Sequence, residues 1–245
     1  MYGYGNSMFL FNNGIIATPA INPLWDNLFA AYKAESNAND SLGLYNGTAN
    51  GGLTYGTGKS GNAFVFNGTN AYVGLGSNNF KFTNDFSISF WVYIPSIATA
   101  TNGIFANYTN QTGSKGFIAY LKSDGKFEFY VSGVNGVSTA TTTAQIPTGW
   151  THIGVFRKMT SNKETFVYIN GVLDAQSGIN NAITLDFYTT TNPSIGAIDS
   201  ISGGAQDLFG FMMNNSKIDE LYIWDREVTS SEFTELYNSG SGTFY

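Results

Sequence analysis

A chain of 245 residues with 42% hydrophobic and 16% aromatic residues can bury a sizeable core, which excludes a disordered protein. Charged residues make up only 11%, well below the roughly one quarter usual in globular domains. Net charge is −6 and the 11 Lys and Arg are scattered singly, so there is no nucleic-acid footprint and anionic membranes are disfavoured; with no cysteine, disulfides and thiolate metal sites are excluded.

Residues 1–24 mix Gly, Asn and Pro with Met8, Phe9, Leu10, Phe11, Ile15 and Ile16, and no period dominates. Leaving those apolar side chains in water is costly. The segment is therefore expected to be an N-terminal arm that docks on a partner, ahead of a single domain over 25–245. It has no basic start and its apolar run is broken, so it is not expected to act as a signal peptide. No run reaches transmembrane length.

From Leu28 onward the chain reads as strands. Ala63–Phe66 and Ala71–Leu75 flank the turn-rich Asn67-Gly68-Thr69-Asn70. Phe86–Ile94 alternates, with Phe86, Ile88, Phe90, Val92 and Ile94 on one face and Ser87, Ser89, Trp91 and Tyr93 on the other. Phe117–Leu121 and Lys126–Val131 flank Asp124-Gly125, a hairpin signal, and Thr151–Arg157 follows as another strand. Glu164–Ile169 and Val172–Gln176 flank Asn170-Gly171, the strongest hairpin signal in the chain. Strands are also expected at Ser194–Ile198 and Gly210–Met213. Short strands at this spacing argue for a sandwich rather than α/β units.

The last unit is a strand, a corner and a short helix. Over Ile218–Trp224, strict alternation would put Ile218, Glu220, Tyr222 and Trp224 on one face and Asp219, Leu221 and Ile223 on the other. Thr229 and Glu232 form a capping box, and Val228 and Phe233 a hydrophobic staple. Phe233, Leu236 and Tyr237 recur at helical spacing, and Gly240 is the expected C′ residue.

In this order, several pieces resemble the laminin-G-like branch of the concanavalin A-like lectin/glucanase superfamily. They are Phe64-Val65-Phe66-Asn67-Gly68, Tyr72-Val73, the run from Phe82 through Asp85 to Val92, Gly149-Trp150-Thr151-His152-Ile153-Gly154-Val155, Val167-Tyr168-Ile169-Asn170-Gly171, and the closing unit. Upstream, Leu28–Tyr32 and Asn39–Gly43 look like the family's opening strand and first loop. The resemblance runs from about residue 28 to 240. It implies an all-β fold, a two-sheet antiparallel jelly-roll sandwich with one short C-terminal helix. It also implies a structural calcium joining the first loop to the closing strand, with Asp219 as the closing-strand acid and Glu35 and Asp40 as the loop acids. One activity is not implied, because members serve as sugar-binding and adhesion modules, as lyases and glycosidases, and as parts of phage particles.

Glycoside cleavage needs two carboxyl groups flanking the sugar. The Glu-x-Asp-x-Glu of the glucanase branch is absent, and adjacent Asp219 and Glu220 on a regular strand would point to opposite faces. His152 is the single histidine, and no Gly-x-Ser-x-Gly elbow accompanies it. The chain is therefore expected to be non-enzymatic. Sugar binding uses aromatic platforms, and the aromatics to consider are Trp91, Tyr93, Tyr130, Trp150 and Trp224. Trp91 and Tyr93 share one strand face and are the expected ligand-binding pair.

These features together predict a multicopy or homo-oligomeric virion protein of the phage fibre or capsid-decoration type, made in the host cytoplasm. The arm would hold it to other virion proteins, and the lectin-like domain would meet cell-surface glycans, with copy number multiplying weak contacts. The alternatives are a free extracellular carbohydrate-binding module or lectin and, further off, a polysaccharide-cleaving enzyme.

Overall fold

The computed structural model describes residues 22–77, 79–109, 113–188, 190–202 and 205–245. The first strands are β1 Leu28–Tyr32, β2 Thr48–Asn50, β3 Thr54–Thr57, β4 Asn62–Val65, β5 Tyr72–Gly74 and β6 Phe86–Ile94. The middle of the chain forms β7 Asn102–Thr109, β8 Lys115–Leu121, β9 Lys126–Val134, β10 Gly136–Gln145, β11 Gly149–Arg157 and β12 Thr165–Ile169. Then come β13 Val172–Gln176, β14 Thr184–Leu185, β15 Ser194–Ile195, β16 Ile198–Ser202, β17 Ala205–Phe209, β18 Lys217–Trp224 and the helix α1 Ser230–Tyr237.

The first sheet runs β13-β12-β11-β6-β18-β4-β3, with β1 paired to β18. The second runs β10-β9-β8-β7-β15-β5-β2, with β14 on β9, and β16–β17 is a separate hairpin. Every pairing is antiparallel. About half of the neighbours in each sheet are distant in sequence, so the chain crosses repeatedly between the two layers. This is the expected two-sheet sandwich with one short helix.

The inner faces make one core. Phe86, Ile88, Phe90, Val92 and Ile94 of β6 meet Phe105, Phe117, Phe127 and Phe129 of the second sheet. Ring pairs such as Phe86–Phe117 at 5.2 Å cross the interface. Each fully buried side chain of this size stabilises the fold by about 1.5–3 kcal/mol.

A second cluster lies on the outer face of the first sheet. There α1 packs Phe233 and Leu236 against Phe156, Tyr168, Tyr222 and Trp224. Gly154 of β11 makes this approach possible, since a β-carbon there would stand 2.4 Å from the Phe233 ring. Thr229 Oγ1 accepts from Glu232 N, and Glu232 Oε2 accepts from Thr229 N at 2.7 Å, the expected capping box. The helix closes earlier than the glycine suggests, because Asn238 already takes the left-handed conformation (φ +46) that ends it.

Chain entry is tied to the same face. Asn22 caps a 3-10 turn at Pro23–Trp25, Leu24 is fully buried, and Trp224 Nε1 donates to the Leu24 carbonyl at 2.9 Å. Residues 1–21 of the expected arm lie outside the described residues.

The turn-rich Asn67–Asn70 lies between two strands as expected and joins the two sheets, because β4 pairs with β3 and β18 whereas β5 pairs with β2 and β15. Two local expectations need correction. Gly210–Met213 is not a strand, since β17 stops at Phe209 and Gly210 turns the chain at φ +58. Alternation in β18 is broken by a bulge. Its register shifts between Asp219 and Tyr222, and Glu220 adopts φ +49. Ile218, Leu221 and Ile223 therefore face the core, while Tyr222 and Trp224 face the helix. Among the described residues, no helix is long and apolar enough to cross a membrane.

Candidate functional site

With α1 on the first sheet, the outer face of the second sheet is left to the β16–β17 hairpin. Inward Phe117, Ala119 and Leu121 on β8 turn Ile118 and Tyr120 outward, and inward Phe129 and Val131 on β9 do the same for Tyr130. Strand register then sets the floor. Ala106 of β7 opposes Ile118, Ile118 opposes Tyr130, and Tyr120 opposes Glu128. Tyr108 completes the set, its ring edge-on to Tyr130 at 5.9 Å and 82°. Ile198 and Phe209 of the hairpin and Thr101 close the sides of a groove of about 260 Å³.

Hydroxyl partners hold these rings in place. Tyr108 donates to Ser114 Oγ at 2.7 Å. Tyr120 donates to Glu128 Oε1, while Thr141 Oγ1 donates to Glu128 Oε2 and Lys122 Nζ lies 3.5 Å from the same oxygen. Burial pushes the Tyr108 phenol up. Burial first, then the Glu128 hydrogen bond and charge, pushes Tyr120 up further. Both phenols remain neutral donors at physiological pH. The groove thus offers aromatic faces and edges bordered by neutral hydroxyls.

The expected pair Trp91 and Tyr93 lies on the other sheet. Both point away from the core, as alternation requires, yet they do not form an open platform. Trp91 is 3% exposed, packed by His152 at 5.2 Å and Tyr237 at 5.9 Å, with Lys59 Nζ 4.5 Å from its ring centre. Tyr93 is half-buried and pairs edge-on with Trp150 at 5.6 Å, beneath Lys217. Trp224 is fully buried, stacked on Trp25. Of the aromatics named from the sequence, Tyr130 is the one that lines the groove.

The three expected calcium ligands are not brought together as a metal site. Among the described residues, no group of three or more His, Asp or Glu side chains is placed to hold a metal ion. Asp40 is 3% exposed and accepts from four backbone N–H groups, those of Ala31, Leu42, Leu44 and Tyr45. Its lone pairs are spent on shaping the first loop. Asp219 Oδ2 accepts from Lys59 N at 2.7 Å and Ser60 N at 3.0 Å, and Oδ1 from Glu220 N. Glu35 accepts from Asn62 N. Donor hydrogens thus fill the acceptor positions of Asp40, which has none left for a cation, whereas Asp219 and Glu35 are held by backbone N–H groups of the segment between β3 and β4 and by that of Glu220.

The bulge has an electrostatic effect that alternation would not predict. Asp219 and Glu220 are both buried, at 0% and 1% exposure. Burial pushes Asp219 up to about 7, with Glu220 adding to the effect, and burial likewise raises Glu220. Glu220 accepts from the Tyr222 hydroxyl. His152 is buried with Nε2 2.7 Å from Ser89 Oγ, and burial lowers it to about 3, so it stays neutral. Among the described residues, its Nδ1 has no hydrogen-bond partner.

Solved structures share this architecture. Domain 4 of AbnA, a GH43 extracellular arabinanase from Geobacillus stearothermophilus solved with arabinotriose, superposes with TM-score 0.63 and 23% identity, over 85% of this chain and 97% of that one. The binding domain of Paraclostridial Mosquitocidal Protein 1 gives TM-score 0.71 and 21% identity, over 89% of this chain and 53% of that one. The binding domain of botulinum neurotoxin DC, solved with SialylT, gives TM-score 0.65 and 16% identity, over 88% and 52%. The chain therefore spans about half the length of these toxin binding domains. Among curated proteins, no sequence matches the chain. The Laminin_G_3 model matches residues 67–233, and the chain belongs to the concanavalin A-like lectin/glucanases superfamily.

Proposed function

We propose that this chain is a non-catalytic carbohydrate-binding module that seats a glycan in the groove of Tyr108, Tyr120 and Tyr130. The observation that carries this reading is the convergence of three tyrosines from three adjacent strands on a sheet face that the helix does not cover. Sugar rings present apolar C–H faces and a rim of hydroxyls, and tyrosines match both. Lining residues of the groove bear no carboxyl group, so paired acid and nucleophile are missing there. The likeness to an arabinanase domain solved with arabinotriose makes arabinan oligosaccharides a sensible first probe.

Glycan-array screening followed by calorimetry tests the proposal. Tyr120→Ala and Tyr130→Ala are each expected to weaken binding at least about tenfold, the equivalent of about 1.4 kcal/mol. Tyr120→Phe keeps the ring and loses only the hydroxyl, so a smaller loss is expected. Unchanged affinity in both alanine variants, with the fold intact, would refute the groove as the site.

The setting we propose is display on a virus particle. Support comes from the apolar N-terminal segment, the absence of cysteine and the Gly-, Asn- and Thr-rich composition. Deletion of residues 1–21 is expected to abolish incorporation into purified particles, read by mass spectrometry, while leaving the sandwich folded. Normal incorporation of the truncated chain would sink this setting and leave a free extracellular module.

A further inference from the structure

The tyrosine groove, at about 260 Å³, is small for its task, since small-molecule sites usually enclose about 300–1,000 Å³. A second cavity of about 420 Å³ opens beside it, and Thr101 lines both. Opposite Thr101 the chain runs through Phe209, Gly210 and Phe211. Phe209 faces the groove and Phe211 the second cavity.

At the seam between them the backbone packs closely, which glycine allows. A β-carbon on Gly210 would lie 3.1 Å from Ile198 Cδ1 and 3.4 Å from Thr101 Cγ2. The Gly210 carbonyl accepts from Gly103 N, and a β-carbon on Gly103 would fall 2.6 Å from Ile198 Cγ1. Two glycines thus let the hairpin end pack directly against β7, and Thr101 is the residue over which the two cavities meet.

The second cavity differs in chemistry from the groove. Its rim is polar, with Thr99 and Asn214 exposed and Thr101 half-buried. None of these three side chains is hydrogen-bonded to a described residue. Every residue lining either cavity is uncharged, in a protein of net charge −6.

We infer that groove and cavity form one continuous cleft for a neutral oligosaccharide, with one end on the tyrosines and the other hydrogen-bonded by Thr99, Thr101 and Asn214. This rests on the carbohydrate-binding reading above. Acidic glycans are disfavoured, because no cationic side chain lines the cleft and the net field is negative. Affinity should therefore rise with chain length, as a longer sugar crosses the seam and gains the polar contacts.

The experiment is calorimetry with arabino-, xylo- and malto-oligosaccharides, each as mono-, tri- and hexasaccharide, and with sialyllactose as the acidic probe. In at least one neutral series the hexasaccharide is expected to bind at least about tenfold more tightly than the trisaccharide, with no binding of sialyllactose. The double variant T99A/N214A is expected to lose that gain with length while its unfolding midpoint stays at the wild-type value. A hexasaccharide that binds the double variant and the wild type equally overturns the continuous cleft, as does a wild type without any gain in length. Sialyllactose bound as tightly as the neutral sugars overturns the neutral selectivity. Full trisaccharide binding by Tyr120→Ala and Tyr130→Ala sinks the groove reading separately, and failure of every neutral series to bind sinks both.

Discussion

One extra residue in β18 decides the behaviour of Asp219. The bulge leaves Asp219 and its neighbour Glu220 together in a buried setting, with Glu35 and Lys33 nearby. The folded chain binds a proton on Asp219 up to about pH 7, whereas the free carboxyl releases it near 3.8. For a raised acid, the stabilisation is full below the unfolded value and is lost as pH rises through the folded value. Stability is therefore expected to fall between about pH 4 and about pH 7. Asp219→Asn should flatten that slope, leaving a remainder of the same sign from Glu220, as measured by urea midpoints across the range. A wild-type slope in the variant would show that Asp219 is not its source. The identity of these acids was legible in the sequence, but their pairing was not. A period of two carries no sign of a bulge, and the left-handed turn at Glu220 is set by strand register.

At the scale of elements, α1 is the piece whose sequence says most. Its cap and staple are local, closed within six residues, so the motif and the geometry coincide. Thr229→Ala is expected to cost about 1 kcal/mol in denaturant unfolding, because Glu232 N loses its acceptor. A cost near zero would mean that tertiary packing of Phe233 alone holds the turn. Asn170-Gly171 was equally legible, and both residues take the positive φ its turn type needs, 51 and 76. β7 was not legible. Its sequence Asn-Gly-Ile-Phe-Ala-Asn-Tyr-Thr opens with turn-like residues and carries its own register shift, so its alternation is blurred. Tyr108 was missed with it. Tyr120 was missed for another reason, since the parity of β8 marks it as outward but cannot say whether that face is bare or covered.

At the scale of the molecule, the two outer faces are unlike. One carries the helix and the entering chain, the other a row of tyrosines under a hairpin. The sandwich itself could be read from ordered strand pieces, because alternation and turns are written locally. The groove could not, because Tyr108, Tyr120, Tyr130, Ile198 and Phe209 meet only after the strands have paired. Bracing of distant segments belongs to this scale too. Trp25 packs edge-on against Tyr245 at 5.4 Å and against Tyr222 at 5.1 Å, so the segment at residues 22–25 and the last residue lie side by side on the helical face. One indole thus clasps the closing strand and the C-terminal residue together, on the sheet opposite the tyrosines.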